Sequence, residues 1–286
     1  MLSESERTFK QQGAATTSPR IQFAKRGADR CNMETFIQTE RDLAIGLGAI
    51  LFLWVCGMAS DIYRRIRKPA RPTRSPFIHW IVTGSLLWLL CGISVWAWTS
   101  SGRSLETLGF AWGSGIGMFA AWAIALGFLA LQVAQLPAIR RDAEVQETLR
   151  QSMFGSGDYD ALMPRRRRDC WGFFLVAVTA GITEEVIFRA FLISVLALLV
   201  PLSIAALAAI GVFILAHLYQ GVQGLVRILP VTIIMTLTYV LSGSLWPGII
   251  MHVAVDVMAG IIAWILLPRD GYIRVEEEAA AGAVPA

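Results

Sequence analysis

GITEEVIFRAFL, residues 181–192, sets two glutamates and an arginine in the middle of an apolar run covering residues 171–200. About 20 mainly apolar residues are enough to cross a bilayer as a helix. Charges inside such a run are costly, about 2.5–3.5 kcal/mol for a central Asp, Lys or Arg on insertion scales, and mark functional candidates by default. Outward from this segment the apolar pattern repeats. Toward the N-terminus lie runs at 43–60, 77–99 and 112–136; toward the C-terminus, runs at 203–219, 228–241 and 245–267. The 228–241 run is short and is completed by extending it back past Arg227. The pattern predicts an all-α, polytopic membrane protein of about seven transmembrane helices with an intramembrane polar site.

Composition agrees. The 286 residues are 55% hydrophobic and 16% charged, against roughly 25% charged in an average soluble protein. That excludes an intrinsically disordered chain and points away from an ordinary soluble enzyme. The four cysteines form no CxxC and no Cys/His cluster, which excludes a disulfide-built miniprotein and leaves no cysteine zinc motif. The net charge of +4 lies between apolar runs, where it reads as membrane topology, and no nucleic-acid partner is expected.

Charge placement orients the helices. Arg64, Arg65, Arg67, Lys68, Arg71 and Arg74 follow the first run; Arg140, Arg141, Arg150 and the Arg165–Arg168 cluster follow the third. The second connection has only Arg103. By the positive-inside rule the first and third connections face the cytoplasm, and so does the C-terminus. The expected organisation is a polar, disordered tail at 1–42, three transmembrane helices at 43–136, and a basic cytoplasmic loop at 137–170. A catalytic core at 171–267 and a C-terminal tail at 268–286 complete it. The N-terminal tail lacks the apolar core of a cleavable signal peptide, so the first run is a retained helix. Its basic residues sit on the outer side in this scheme, a mild conflict that a translation start at Met33 or a missed helix would remove.

The ionisable groups within the apolar runs are Glu184, Glu185, Arg189, His217, His252 and Asp256, all in the C-terminal half. Glu185 and Arg189 stand four apart, so they share a helix face and can pair. Glu184 is turned about 100° from Glu185 on a helix of 3.6 residues per turn. One glutamate is therefore free for structure and the other for chemistry. His252 and Asp256 repeat the four-residue spacing, as do Phe213 and His217. In depth, Glu184 and His252 match across a core of about 30 Å, while His217 comes out roughly 10 Å nearer the cytoplasm. A tilt or a shifted helix start has to close that gap.

A carboxylate with a histidine can activate water as general base, and a second histidine can stabilise an oxyanion. That set suffices in kind for peptide hydrolysis without a covalent intermediate. Cys170 and Ser194 lack a nucleophile motif. One Glu and two His could instead hold zinc, but no HExxH is present. The other classes compatible with these residues are a non-catalytic membrane immunity or regulatory protein and a proton-coupled transporter. The absence of an inverted repeat of the charges argues against the transporter.

EEVIFR (Glu184 to Arg189) fits EExxxR, FILAH (Phe213 to His217) fits FxxxH, and HVAVD (His252 to Asp256) fits HxxxN/D. The phrase LSGSLWPGIIMH leads into the third motif. In this order and separation they resemble the CPBP family of intramembrane proteases, which includes CAAX prenyl endopeptidases of the Rce1 type and bacteriocin-processing Abi proteins. The resemblance spans about a third of the chain. It implies an intramembrane endopeptidase with Glu184, His217, His252 and Asp256 catalytic: Glu184 and His217 working on water, His252 and Asp256 forming the oxyanion site. Glu185, Arg189 and Phe213 would support the site, with no metal and no cofactor. The implied substrate is a membrane-associated or lipidated protein or peptide, of CAAX prenyl-protein or leader-peptide type. The implied location is a bacterial plasma membrane. One departure stands out: prenyl-protein proteases favour Asn at the fourth position, and this chain has Asp256.

Overall fold

The computed structural model describes residues 37, 40–66, 77–154 and 163–269. The tails, the centre of the first basic connection and Met33 lie outside the described residues. No strand occurs among the residues described. The elements are α1 (Arg41–Ile66), α2 (Phe77–Ser100), α3 (Ile116–Ala134), α4 (Leu136–Arg141) and α5 (Ala143–Phe154). Next comes α6 (Cys170–Glu184), which continues as a π-helical stretch, Glu185–Leu192, into α7 (Ile193–Leu196). Then follow α8 (Leu202–Ala216), α9 (Gly221–Ser242) and α10 (Trp246–Leu266).

The protein is an integral membrane, all-helical one. Four segments are long and apolar enough to cross a membrane: Phe77–Ser100, Ile116–Arg141, Leu218–Ser242 and Trp246–Leu266. The expected count of seven is not reproduced by this measure, and two of the differences have a physical cause. The 171–200 run is divided by the π-helical stretch and carries its own charges. Helix α8 has 15 residues, about 22 Å of rise, short of a core of about 30 Å. Helix α9 does extend back through Arg227 to Gly221. The surface is inverted relative to that of a soluble protein: Ile116 is 87% exposed and Ile78 76%. Contiguous apolar exposure of this kind suits lipid.

Two ends of the bundle fix the depth of α10. At one end, Leu245 N–H donates to Gly109 O (2.8 Å), Ser244 Oγ–H to Ala111 O (2.8 Å) and Trp246 Nε1–H to Phe110 O (3.2 Å). The LSGSLWPG phrase is thus pinned to the α2–α3 connection. At the other end, Arg167 Nε–H donates to Leu267 O at 3.0 Å and Arg150 Nη2–H to Leu266 O at 3.4 Å. Basic side chains there satisfy helix-end carbonyls and complement the negative end of the dipole. The connection before residue 170 is partly helical: Met153 and Phe154 of α5 pack with Trp80, Met163, Cys170 and Leu266.

Candidate active site

The site lies where α6, its π-helical continuation, α8 and α10 meet. α6 packs extensively along α10, and Gly181 sets how closely. A Cβ at Gly181 would lie 2.8 Å from the backbone N of Val253 and 3.0 Å from its Cα. The two backbones therefore touch within a turn of Glu184 and next to His252. Gly248 does a related job, since a Cβ there would come within 2.9 Å of Glu185 Oε2. Its missing side chain leaves room for that carboxylate against α10.

The two adjacent glutamates part company. Glu185 is 1% exposed, and its Oε1 lies 2.9 Å from Arg189 Nη1, which is equally buried. The same oxygen accepts a hydrogen bond from His252 Nδ1–H at 2.8 Å. Neither Nη atom of Arg189 makes a hydrogen bond of good angle among the described residues, so the pairing with Glu185 is electrostatic. The guanidinium also lies over the Phe213 ring, 4.2 Å from its centroid, a cation–π contact. Glu184, in contrast, has a buried Oε2 with no hydrogen-bond partner among the described residues. That oxygen lies 3.8 Å from His217 Nε2 and 3.9 Å from His252 Nε2.

Phe213 organises the histidines. It stacks on His217 with centroids 4.3 Å apart and meets His252 at 6.1 Å. The Phe213 carbonyl lies 2.8 Å from His217 Nδ1. A carbonyl only accepts, so Nδ1 carries a proton and donates it, and Nε2 is the nitrogen that faces Glu184. Asp256 Oδ2 lies 3.8 Å from His252 Nε2 and is 31% exposed.

All four predicted catalytic positions line one cavity of about 350 Å³. Despite the depth gap expected for it, His217, in the turn that joins α8 to α9, comes within 3.8 Å of Glu184. Tyr219, whose ring is 5.7 Å from that of His217, and Arg227, at the α9 side of the cavity, were not singled out from sequence. Tyr219 sits two residues past a motif, and Arg227 is an isolated cation in an apolar run, the one cue that could have found it. Among the described residues, no group of three or more His, Cys, Asp and Glu side chains is placed to hold a metal ion.

No curated protein and no solved structure matched the chain. A family model did: that of Rce1-like type II CAAX prenyl endopeptidases, over residues 166–258. That stretch runs from the Arg167–Asp169 turn to Met258 and contains all three motifs. Residues 166–258, about a third of the chain, are thus similar to Rce1-like type II CAAX prenyl endopeptidases.

Proposed function

We propose that the protein is an intramembrane endopeptidase that hydrolyses a peptide bond with water activated by Glu184 and His217. The observation that carries this reading is the buried Oε2 of Glu184, without a hydrogen-bond partner among the described residues and 3.8–3.9 Å from Nε2 of two histidines. Those separations are too long for direct hydrogen bonds and short enough for one water to touch both sides.

Each residue then has a task that its contacts support. Water held between Glu184 and His217 attacks the carbonyl carbon of the scissile bond, and Glu184 takes its proton. The new C–O bond forms as the carbonyl electron pair moves onto oxygen. His252, with both nitrogens protonated, donates Nδ1–H to Glu185 and Nε2–H to that oxyanion. Glu184 returns the proton to the amide nitrogen as the C–N bond breaks. The Arg189–Glu185 pair fixes the ring of His252, and Phe213 fixes that of His217. Asp256 stands beside His252 Nε2 at the edge of the oxyanion position.

The substrate class proposed is a prenylated or otherwise lipidated protein segment lying at the membrane, in line with the family of the matched domain. The charge bias of the connections supports a cytoplasmic C-terminus.

The test is a proteolysis assay in proteoliposomes with prenylated peptides and unlipidated leader peptides. The wild type is expected to cleave the prenylated set, Glu184→Ala to cleave nothing, and a metal chelator to leave the rate unchanged. Cleavage surviving in Glu184→Ala, or abolished by the chelator and restored by zinc, would refute the mechanism.

A further inference from the structure

We infer that residues 221–229, the N-terminal arm of α9, form a lateral gate between the lipid and the cavity, hinged at Gly221 and Pro230 and latched by Arg227 to Ser152 of α5. The inference rests on the protease reading for the gate's purpose alone; the movement is tested without cleavage. Pro230 stands inside α9. It has no N–H to donate to the Val226 carbonyl, and its ring crowds that carbonyl, so the helix bends most readily there. At the other end Gly221 has φ +69° and ψ 175°, a conformation essentially reserved for glycine. The arm therefore lies between two points where the regular backbone is interrupted.

The two parts of α9 are held very differently. Beyond Pro230, Thr232, Met235, Thr236 and Tyr239 are buried, and Met235 packs with Ala125 of α3 and Met251 of α10. From 221 to 229 no side chain is buried. Among the described residues Arg227 makes one hydrogen bond, Nη1–H to Ser152 Oγ at 2.7 Å. Ser152 is a fixed post, because the next two residues of α5, Met153 and Phe154, are buried with Trp80, Cys170 and Leu266. The faces of the arm suit a gate. Gln223, Gly224, Arg227 and Ile228 line the cavity that also reaches Glu184, His217 and His252. Val222, Val226 and Leu229, spaced i, i+4 and i+7, are exposed and do not line it, an apolar stripe that faces lipid. A wall with so little packing is the part of the boundary that opens most easily.

The linkage to His217 leaves room for the swing. The arm is about 13 Å of helix, and its start is tied to His217 through the 3₁₀ turn Leu218–Gln220. Three residues rise about 6 Å in a 3₁₀ turn and about 10 Å when extended. Unwinding that turn therefore gives about 4 Å of slack while His217 stays on the Phe213 carbonyl, 2.8 Å from its Nδ1. At the start of the arm, about 4 Å is a swing of roughly 15–20° around Pro230. It also matches the contact distance of about 3.5–4.0 Å between carbon atoms, the clearance that one hydrocarbon chain needs.

The experiment places spin labels at Val222→Cys on the arm and Thr148→Cys on α5, both exposed positions, in the full-length protein in bilayers with its native cysteines replaced by serine. Two label separations differing by about 4 Å are expected. Ser152→Ala should raise the longer population relative to the shorter roughly 3- to 10-fold, the worth of one exposed hydrogen bond, and Pro230→Ala should lower it. In the active enzyme, bridging Ser152→Cys to Arg227→Cys with a short thiol cross-linker should slow cleavage of a prenylated peptide at least about tenfold, whereas the same variant before bridging should cleave at the wild-type rate or faster. A single separation that neither Ser152→Ala nor Pro230→Ala changes, or full cleavage by the bridged enzyme, would overturn the proposal. The labels report without turnover, so two separations that respond to Ser152→Ala, with no cleavage by the wild type, would refute the protease reading and leave the gate standing.

Discussion

Gly181→Ala tests whether the contact between α6 and α10 sets the catalytic geometry. The added Cβ would stand 2.6 Å from Val253 Cγ2, 2.8 Å from its backbone N and 3.0 Å from its Cα. A Cγ2 can rotate away, but a backbone nitrogen cannot. The helices must therefore separate by about half an ångström or more to reach ordinary contact, and overpacking of this kind costs about 1–3 kcal/mol. The separation acts on chemistry because Glu184 is one turn beyond Gly181 and His252 adjoins Val253. It stretches the 2.8 Å bond between His252 and Glu185 and the 3.9 Å approach of His252 to Glu184. Misplacement by about 1 Å can cost roughly 10²-fold in rate, so kcat/KM should fall about 10- to 100-fold, together with a lower unfolding temperature in detergent. Gly92→Ala is the control, since nothing lies within 4 Å of a Cβ there and alanine favours a helix interior over glycine by about 1 kcal/mol. Wild-type turnover and stability in Gly181→Ala would show that the helices tolerate the wider spacing and that the close approach does not set the site.

Three further substitutions separate the roles of the polar groups. Glu184→Gln should lower kcat by at least about 10²–10⁴-fold, the usual worth of a general base, while unfolding temperature holds or rises, because a buried unpaired carboxylate is replaced by a neutral amide; a clear loss of stability would mean that Glu184 is structural. Glu185→Gln should destabilise by about 3–5 kcal/mol in chemical denaturation, because it leaves Arg189, 1% exposed, as an uncompensated buried charge; a loss of activity without any loss of stability would reverse the assignment of the two glutamates. Asp256→Asn should keep turnover within about tenfold of wild type, since Asn fills the same volume and can donate to an oxyanion; a drop of about 10²-fold or more, the cost of losing an oxyanion donor, would show that the carboxylate itself is required.

The site was more legible in the sequence than the count of helices. Ionisable residues stand out against an apolar background, and spacing of four gave the pairs Glu185–Arg189, Phe213–His217 and His252–Asp256, all of which are neighbours in the structure. The same spacing pointed to Glu185, and not Glu184, as the partner of Arg189, which is the pair the structure shows. What could not be read is where one helix stops inside a continuous apolar run. The 203–219 run looked like one span, yet its helix ends at Ala216 and hands His217 to a turn. Backbone contacts such as Gly181 against Val253 are invisible for a related reason: they join segments some 70 residues apart and involve no distinctive side chain. The helices in the third connection were hidden because α5 is polar on the surface and buries only its end, Met153 and Phe154.

The π-helical stretch explains how two neighbouring carboxylates coexist in one buried site. Glu184 is the last residue of α6 and Glu185 the first of the π segment, whose eight residues are all buried. Such segments are rare and concentrate at functional sites, where i→i+5 bonding widens the turn. In a regular α-helix, residue 189 would sit directly over residue 185. The wider turn displaces Arg189 sideways, so its guanidinium reaches the face of Phe213 on α8 while Nη1 stays 2.9 Å from Glu185. Arg189 is thereby committed twice, to Glu185 and to the ring that holds His217. Glu184 Oε2 meanwhile has no hydrogen-bond partner among the described residues. A carboxylate that must accept a proton from water needs that freedom, because a full ion pair with arginine would hold it ionised and unreactive. The local departure from α-helical geometry thus keeps the Glu185–Arg189 pair and the acid proposed to be reactive distinct at adjacent positions in the chain.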